Sequence, residues 1–357
     1  MDGLRATRPL ALAVYIVCVF AGTFQGPLLM IGWCALGIAV IGWYVTPEKP
    51  KQDLRVWVLL GVLVVSHMAA IPGSIWFGTG NWILTASAVY WLLPAMVIFL
   101  IADDGVFRWL IWIAVIHAGC ILFNGMWFSG VMGYTSGEVN KGGLTFNPNV
   151  AAGLLIIGIG LVFWTGRHWW AVLPMITAVI FTGSRAAFSV LVIVFVSSLI
   201  TGQFTWRSSI GMVVFIIIAV AVYGLLHQQS QVADYPAMFS MTPDLVINDI
   251  NVRWTVPAWP DLYPHGVVEH LGLHNVPLRM AREAGIIAGA VWLVLSVWAL
   301  TRDRWTPAWW LMVVILLLSI LDHYTWRVHL GSLWFLAAGL LLSRSANIRP
   351  ISSPDRA

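Results

Sequence analysis

Charge is what this sequence has least of. Asp, Glu, Lys and Arg supply 10% of its 357 residues, against about 25% in a soluble domain. That shortage excludes an ordinary solvated surface. The net charge of +4 gives no reason to expect nucleic acid, because membrane proteins collect cytoplasmic Lys and Arg for topological reasons. Cysteine is scarce too: Cys18, Cys34 and Cys120 all fall inside apolar runs and read as small core residues. No His/Asp/Glu cluster has metal-ligand spacing, and no phosphate-cradling glycine loop follows a strand, so neither a metal nor a nucleotide or other cofactor is expected. There is no repeat, low-complexity tract or linker to mark a second soluble domain. Nor is a cleavable signal peptide expected, since the first apolar run leads straight into others.

What fills the chain instead is apolar sequence. Hydrophobic residues make up 60%, and the mean hydropathy is +0.86. The runs predict an all-α polytopic membrane protein of about 12 transmembrane helices, as one membrane domain over 1–357. The spans read as 9–23, 27–45, 56–72, 82–102, 109–127, 150–165, 169–182, 186–201, 209–226, 284–301, 307–321 and 329–343. The stretch 169–201 is split at "TGSRAAF", because a single helix through it would bury Arg185 in lipid at a cost of several kcal/mol unless paired. With both termini inside, Arg5, Arg8, Lys49, Lys51, Arg55, Arg108, Arg167, Arg207, Arg302, Arg304, Arg344, Arg349 and Arg356 face the cytoplasm. Only Lys141, Arg185, Arg253, Arg279, Arg282 and Arg327 fall outside: thirteen against six, a positive-inside bias. Two external loops are long, 128–149 and 227–283.

The outer arginines run against that bias, so they ask for a ligand. A guanidinium suits phosphate because its planar fork donates paired hydrogen bonds and keeps its charge. They could instead bind lipid headgroups or pair with Asp261, Glu283 or Asp322; as a set they favour a phosphorylated ligand. Arg279 and Glu283 are four apart and could form a helical salt bridge. Asn275 can cap the helix that starts there, with Pro277 in its first turn. His274 beside that cap, among cations, is a candidate proton acceptor, and His265 and His270 are further versions of it. His67 and His117 lie within spans and read as interhelical hydrogen-bonding groups. Asp322 and His323 close the eleventh span, where they could support the site or orient Arg327. Most of the 22 Trp read as an interfacial belt. No Asp, Glu, Lys or Arg falls in the middle of a span, where a coupled transporter generally needs one.

Three stretches, "GGLTFNPNVAAGLL" (142–155), "FTGSRAAFSVLV" (181–192) and "LHNVPLRMAREAGIIAG" (273–289), resemble the O-antigen ligase and polymerase family. They stand in that family's order, with a long external loop between the second and third, and the resemblance covers most of 125–345. It implies a GT-C-type membrane glycosyltransferase with one long external loop carrying site residues. Such an enzyme acts without metal or cofactor, on the outer face of the bacterial cytoplasmic membrane. The donor implied is an undecaprenyl-diphosphate-linked oligosaccharide. The acceptor is a glycan repeat, a lipid core or a protein. Arg185 and Arg253 would grip the diphosphate, and His274 would activate the acceptor hydroxyl for inverting attack. Asn149, Ser184, Asn275, Arg279, Arg282, Glu283, Asp322 and Arg327 are the expected substrate contacts. The chain departs from the family at "YPHGVVEHLGLHN", where only Pro264–Gly266 keeps the usual glycine-rich turn, which leaves open how His265 and His270 pair with family positions. A lipid-linked glycan flippase or permease and a protein O-oligosaccharyltransferase are the alternatives.

Overall fold

The computed structural model describes residues 2–21, 26–46, 53–76, 92–130, 148–166, 168–182, 184–200, 213, 217, 276–321 and 330–343. Every regular element among these is helical. In chain order they are α1 (Asp2–Ala21), α2 (Gly26–Tyr44), α3 (Leu54–Trp76), α4 (Val106–Gly130), α5 (Pro148–Thr165), α6 (Val172–Thr182), α7 (Arg185–Ile200), α8 (Val276–Ala284), α9 (Ile286–Thr301), α10 (Pro307–Leu321) and α11 (Leu330–Ser343). A helical stretch also covers 92–100, and a single 3-10 turn, Trp169–Ala171, leads into α6. Ten of the expected spans overlap α1–α7 and α9–α11. The fourth contains 92–100, and the ninth, 209–226, lies outside the described residues apart from Val213 and Ile217. Two of these helices are long and apolar enough to cross a membrane, over Leu54–Pro72 and Val106–Phe123.

Local sequence explains where helices stop and start. Gly166 ends α5 in the left-handed region (φ 64°), its amide donating to the Val162 carbonyl at 3.0 Å; glycine takes that conformation without steric penalty. Thr306 caps α10: its Oγ1 accepts from the Trp309 amide at 3.2 Å, and Pro307 occupies the first helical position, where its missing N–H costs nothing. The turn before it is strained, because Trp305 has φ 67° and Asp303 φ 26°. A bulky residue held there costs about 1–3 kcal/mol.

The bundle is organised around α5. Residues 150–163 are buried throughout, and α5 packs against α4, α6, α7, α10 and α11. Its sequence, "VAAGLLIIGIGLVF", is apolar all round, as a fully enclosed helix must be. The same holds for 331–343 of α11. Small residues let the backbones approach. A Cβ on Gly158 would stand 2.5 Å from the Ala114 Cβ of α4 and 2.9 Å from the Met175 sulfur of α6. One on Gly339 would stand 2.4 Å from the Phe99 carbonyl. Peripheral helices turn apolar side chains outward: Ile31, Ile38 and Ile41 on α2, and Val58, Val65 and Met68 on α3, are exposed.

Aromatic and ionic contacts determine which helix ends coincide. Trp164, at the end of α5, stacks on Trp305 at 6.2 Å and lies 5.0 Å from Trp310, so this end of α5 meets the α9–α10 turn. Trp112, near the start of α4, meets Trp170 at 5.5 Å. The Arg8 guanidinium of α1 pairs with Asp103, whose other oxygen accepts the Gly105 amide at 2.8 Å as α4 begins. These contacts gather the starts of α1 and α4, the end of α5 and the α9–α10 turn at one end, rich in tryptophan. The start of α5, the α6–α7 turn, the α8–α9 junction and the end of α10 therefore lie at the other.

Some buried polar groups are served within or between helices, while the Nε1–H groups of Trp292 and Trp310 have no hydrogen-bond partner among the described residues. His67 Nδ1–H donates to the Leu63 carbonyl at 2.8 Å, a bond within α3 where an interhelical one is expected from sequence. Trp334 Nε1–H of α11 donates to Ser296 Oγ of α9 at 3.0 Å, and its ring stacks on Trp292.

The close contacts at Gly158 predict that Gly158→Val lowers stability by about 1–3 kcal/mol through overpacking. A Cβ on Gly119 of α4 meets nothing within 4 Å, so Gly119→Ala should leave the thermal midpoint unchanged or raise it slightly. Circular dichroism melts of the two variants check both outcomes; equal losses would contradict the packing described.

Candidate functional site

Of the expected site residues, Asn149, Ser184 and Arg185 stand at helix starts on the end of the bundle opposite the tryptophans. Thr182 ends α6 and Ser184 precedes α7; both are buried, and each is tied by its own hydroxyl. Thr182 Oγ1–H donates to the Val179 carbonyl at 2.6 Å and accepts the Ser184 amide at 3.3 Å. Ser184 is 4% exposed, and its Oγ accepts the Ala187 amide at 3.4 Å. That is the geometry of an N-cap, which explains why the chain turns here rather than continuing as one helix. Ser184 thus has a structural role at the position where substrate contact is expected.

Arg185 follows as the first residue of α7. A cation at a helix N-terminus opposes the macrodipole by about 0.3–1 kcal/mol, while the first-turn amides of the same helix are donors for an anion. Asn149, partly buried, sits in the first turn of α5 at the same end.

The third element differs from its expected form. Residues 276–283 belong by sequence to the external loop 227–283, with the helix from Asn275 continuing toward the span at 284–301. Instead 276–284 is a separate helix, α8, packed against α3, α9 and α10. Gly285 breaks it, with φ 89° and ψ 159°, a conformation open essentially to glycine alone. One turn further, Gly289 lets the two helices touch: a Cβ there would stand 2.7 Å from the Pro277 carbonyl and 3.2 Å from the Ala281 Cβ. Val276, Met280, Ala281 and Ala284 are buried. Arg279, Arg282 and Glu283 are the charged residues of the same helix. The signal was present as Gly285-Ile-Ile-Ala-Gly289, the GxxxG spacing that allows backbones to close on one another.

α10 packs against both α7 and α8, so the helix that starts with Arg185 and the helix that carries Arg279 and Arg282 flank a common neighbour. α10 ends at Leu321, immediately before Asp322. Arg253, His274, Asn275, Asp322 and Arg327 lie outside the described residues, as do His265 and His270. His274 and Asn275 directly precede Val276 in the chain, so the start of α8 sets where they are tethered. Chemically, cations and amide donors at one end of an apolar bundle can hold an anionic group of a largely apolar ligand. No known protein family matches this chain, and no curated protein matches it either.

Two substitutions separate the structural parts of this end. Ser184→Ala should cost about 1 kcal/mol by removing the cap, and Ser184→Asp should restore most of it. Gly289→Val should cost more, about 1–3 kcal/mol, because the Pro277 backbone must move. Thermal unfolding of the three variants gives the order; a Ser184→Ala variant as stable as the parent would remove the cap assignment.

Proposed function

We propose that the chain is a multi-pass membrane glycosyltransferase of the GT-C type. In this reading it transfers or polymerises a glycan from an undecaprenyl-diphosphate-linked donor on the outer face of the bacterial cytoplasmic membrane. The observation that carries the reading is the convergence of three separated motifs. Asn149 of the first, Ser184 and Arg185 of the second, and α8 of the third lie at one end of the bundle.

The membrane part is supported by the outward apolar residues of α2 and α3 and by the two helices of spanning length, with shorter apolar helices beside them. In the described apolar helices charge stays near the ends, while the short α8 carries Arg279, Arg282 and Glu283 along its length. Of the nine described arginines, Arg5, Arg8, Arg55, Arg108, Arg302 and Arg304 belong to the tryptophan-rich end, and Arg185, Arg279 and Arg282 to the other. The positive-inside rule then makes the tryptophan-rich end cytoplasmic and the motif end external. Both termini are inside, and about twelve spans complete the architecture. The absence of charge from the middle of the apolar helices α1–α7 and α9–α11 among the described residues favours an enzyme working at one surface over a flippase or permease with a polar path through the bilayer.

In the reaction, Arg185 and Arg253 bind the donor diphosphate, with Arg279, Arg282 and Arg327 extending the positive field. His274 takes the proton of an acceptor hydroxyl as that oxygen attacks the anomeric carbon. The bond from that carbon to the diphosphate oxygen breaks, and its electron pair leaves with undecaprenyl diphosphate. The product is inverted at the anomeric centre. Guanidinium groups held near the leaving oxygens stabilise charge that grows in the transition state. Asn275, Glu283 and Asp322 orient the arginines and the base, and no metal or cofactor takes part.

The test uses purified protein in lipid, with undecaprenyl-diphosphate-linked oligosaccharide as the sole sugar source. A polymerase gives a product ladder. His274→Ala should lower turnover about 10²–10⁴-fold while donor binding persists, and Arg185→Ala should weaken both. Donor consumed only after lipid core or protein is added identifies a ligase or an O-oligosaccharyltransferase. Donor that stays intact with every acceptor but crosses the bilayer would overturn the enzyme reading in favour of a flippase.

A further inference from the structure

At the end of the bundle opposite the candidate site, the α9–α10 turn, residues 302–306, is built against local preference. Trp305 and Asp303 both hold positive φ, although the turn could take glycine or asparagine at no steric cost. The strained backbone carries Trp305 outward: it is 55% exposed, and its ring lies over Trp164 and Trp309, the latter at 5.2 Å. Trp309 is itself oriented, its Nε1–H donating to the Leu300 carbonyl at 2.9 Å. Arg302 and Arg304, just before it in the chain, are exposed. The Arg302 guanidinium lies 5.9 Å from the Trp298 ring centre. An exposed indole following two exposed arginines in one short turn has an amphipathic plane for the acyl–headgroup boundary and cations for phosphate.

We infer that this turn is a seat for anionic phospholipid headgroups of the leaflet opposite the candidate site. The inference rests on the membrane part of the function proposed above and not on its catalytic part. Charge complementarity selects the occupant. Two exposed arginines against the single carboxylate of Asp303 give the turn a net positive charge, and the exposed tryptophan excludes a purely aqueous ligand. The held conformation leaves the indole and both arginines exposed together at this end of the bundle. Seated this way, the turn would help set the depth and tilt of α9 and α10, and through α10 the level of the helices that flank it at the far end.

The test compares thermal midpoints of the full chain in nanodiscs of phosphatidylglycerol and of phosphatidylcholine. The parent protein should melt a few degrees higher in phosphatidylglycerol, and native mass spectra should show retained phosphatidylglycerol. The double variant Arg302→Gln/Arg304→Gln should lose both. Trp305→Gly, which relieves the backbone, should fold and keep only part of the preference. Inorganic phosphate added to phosphatidylcholine discs should leave the midpoint unchanged; a rise equal to that in phosphatidylglycerol would overturn a lipid seat. A phosphatidylglycerol preference that survives in the double variant, or is missing from the parent, also overturns it. Failure to enter nanodiscs at all, with a monodisperse chain in plain buffer, overturns the membrane reading along with it.

Discussion

Enclosure of α5 is the constraint on which the rest of the structure depends. A helix apolar on every side and buried from 150 to 163 must be surrounded, and five other helices do so. Close approach is possible because glycine and alanine stand where α4 and α6 press in. With α5 in place, its two ends become the reference for everything else. The tryptophans at its C-terminal end lock onto the α9–α10 turn, and that lock aligns the ends of helices far apart in sequence.

Alignment is what makes a site conceivable. Asn149 and Arg185 are 36 positions apart and α8 begins 91 positions after Arg185, yet the alternating helices return each to the same end. Short turns enforce this: two residues between α6 and α7, and a single glycine between α8 and α9. Each turn is held by a local device, the Ser184 cap in one case and the Gly285 conformation in the other. The arginine at the start of α7 then stands beside amide donors that also prefer an anion.

The two ends of the molecule divide the arginines by the company they keep. At the tryptophan-rich end they are met by carboxylates and indoles, as Arg8 is by Asp103 and Arg108 by Trp109. Such contacts anchor a bundle at an interface and carry no demand for a soluble ligand. At the motif end the arginines fall on a helix start and along a short helix.

By itself the sequence determined the helical class, the placement of most helices and the absence of charge from the middle of the apolar ones. All three come from apolar run length and from the cost of charge in an apolar interior, both local properties. It also marked the break at Ser184, because an arginine cannot be carried through an apolar span and a serine can cap the helix that begins there. Tertiary structure alone decided that 276–284 folds back as its own helix. The reason is a contact between residues on different helices: Gly289 admits the Pro277 backbone only when Gly285 has already turned the chain. Tertiary structure also decided which ends coincide, since that rests on rings from α5 and the α9–α10 turn meeting across about 140 residues of chain. Run length and hydropathy carry no record of such pairings, which exist only once the helices have packed.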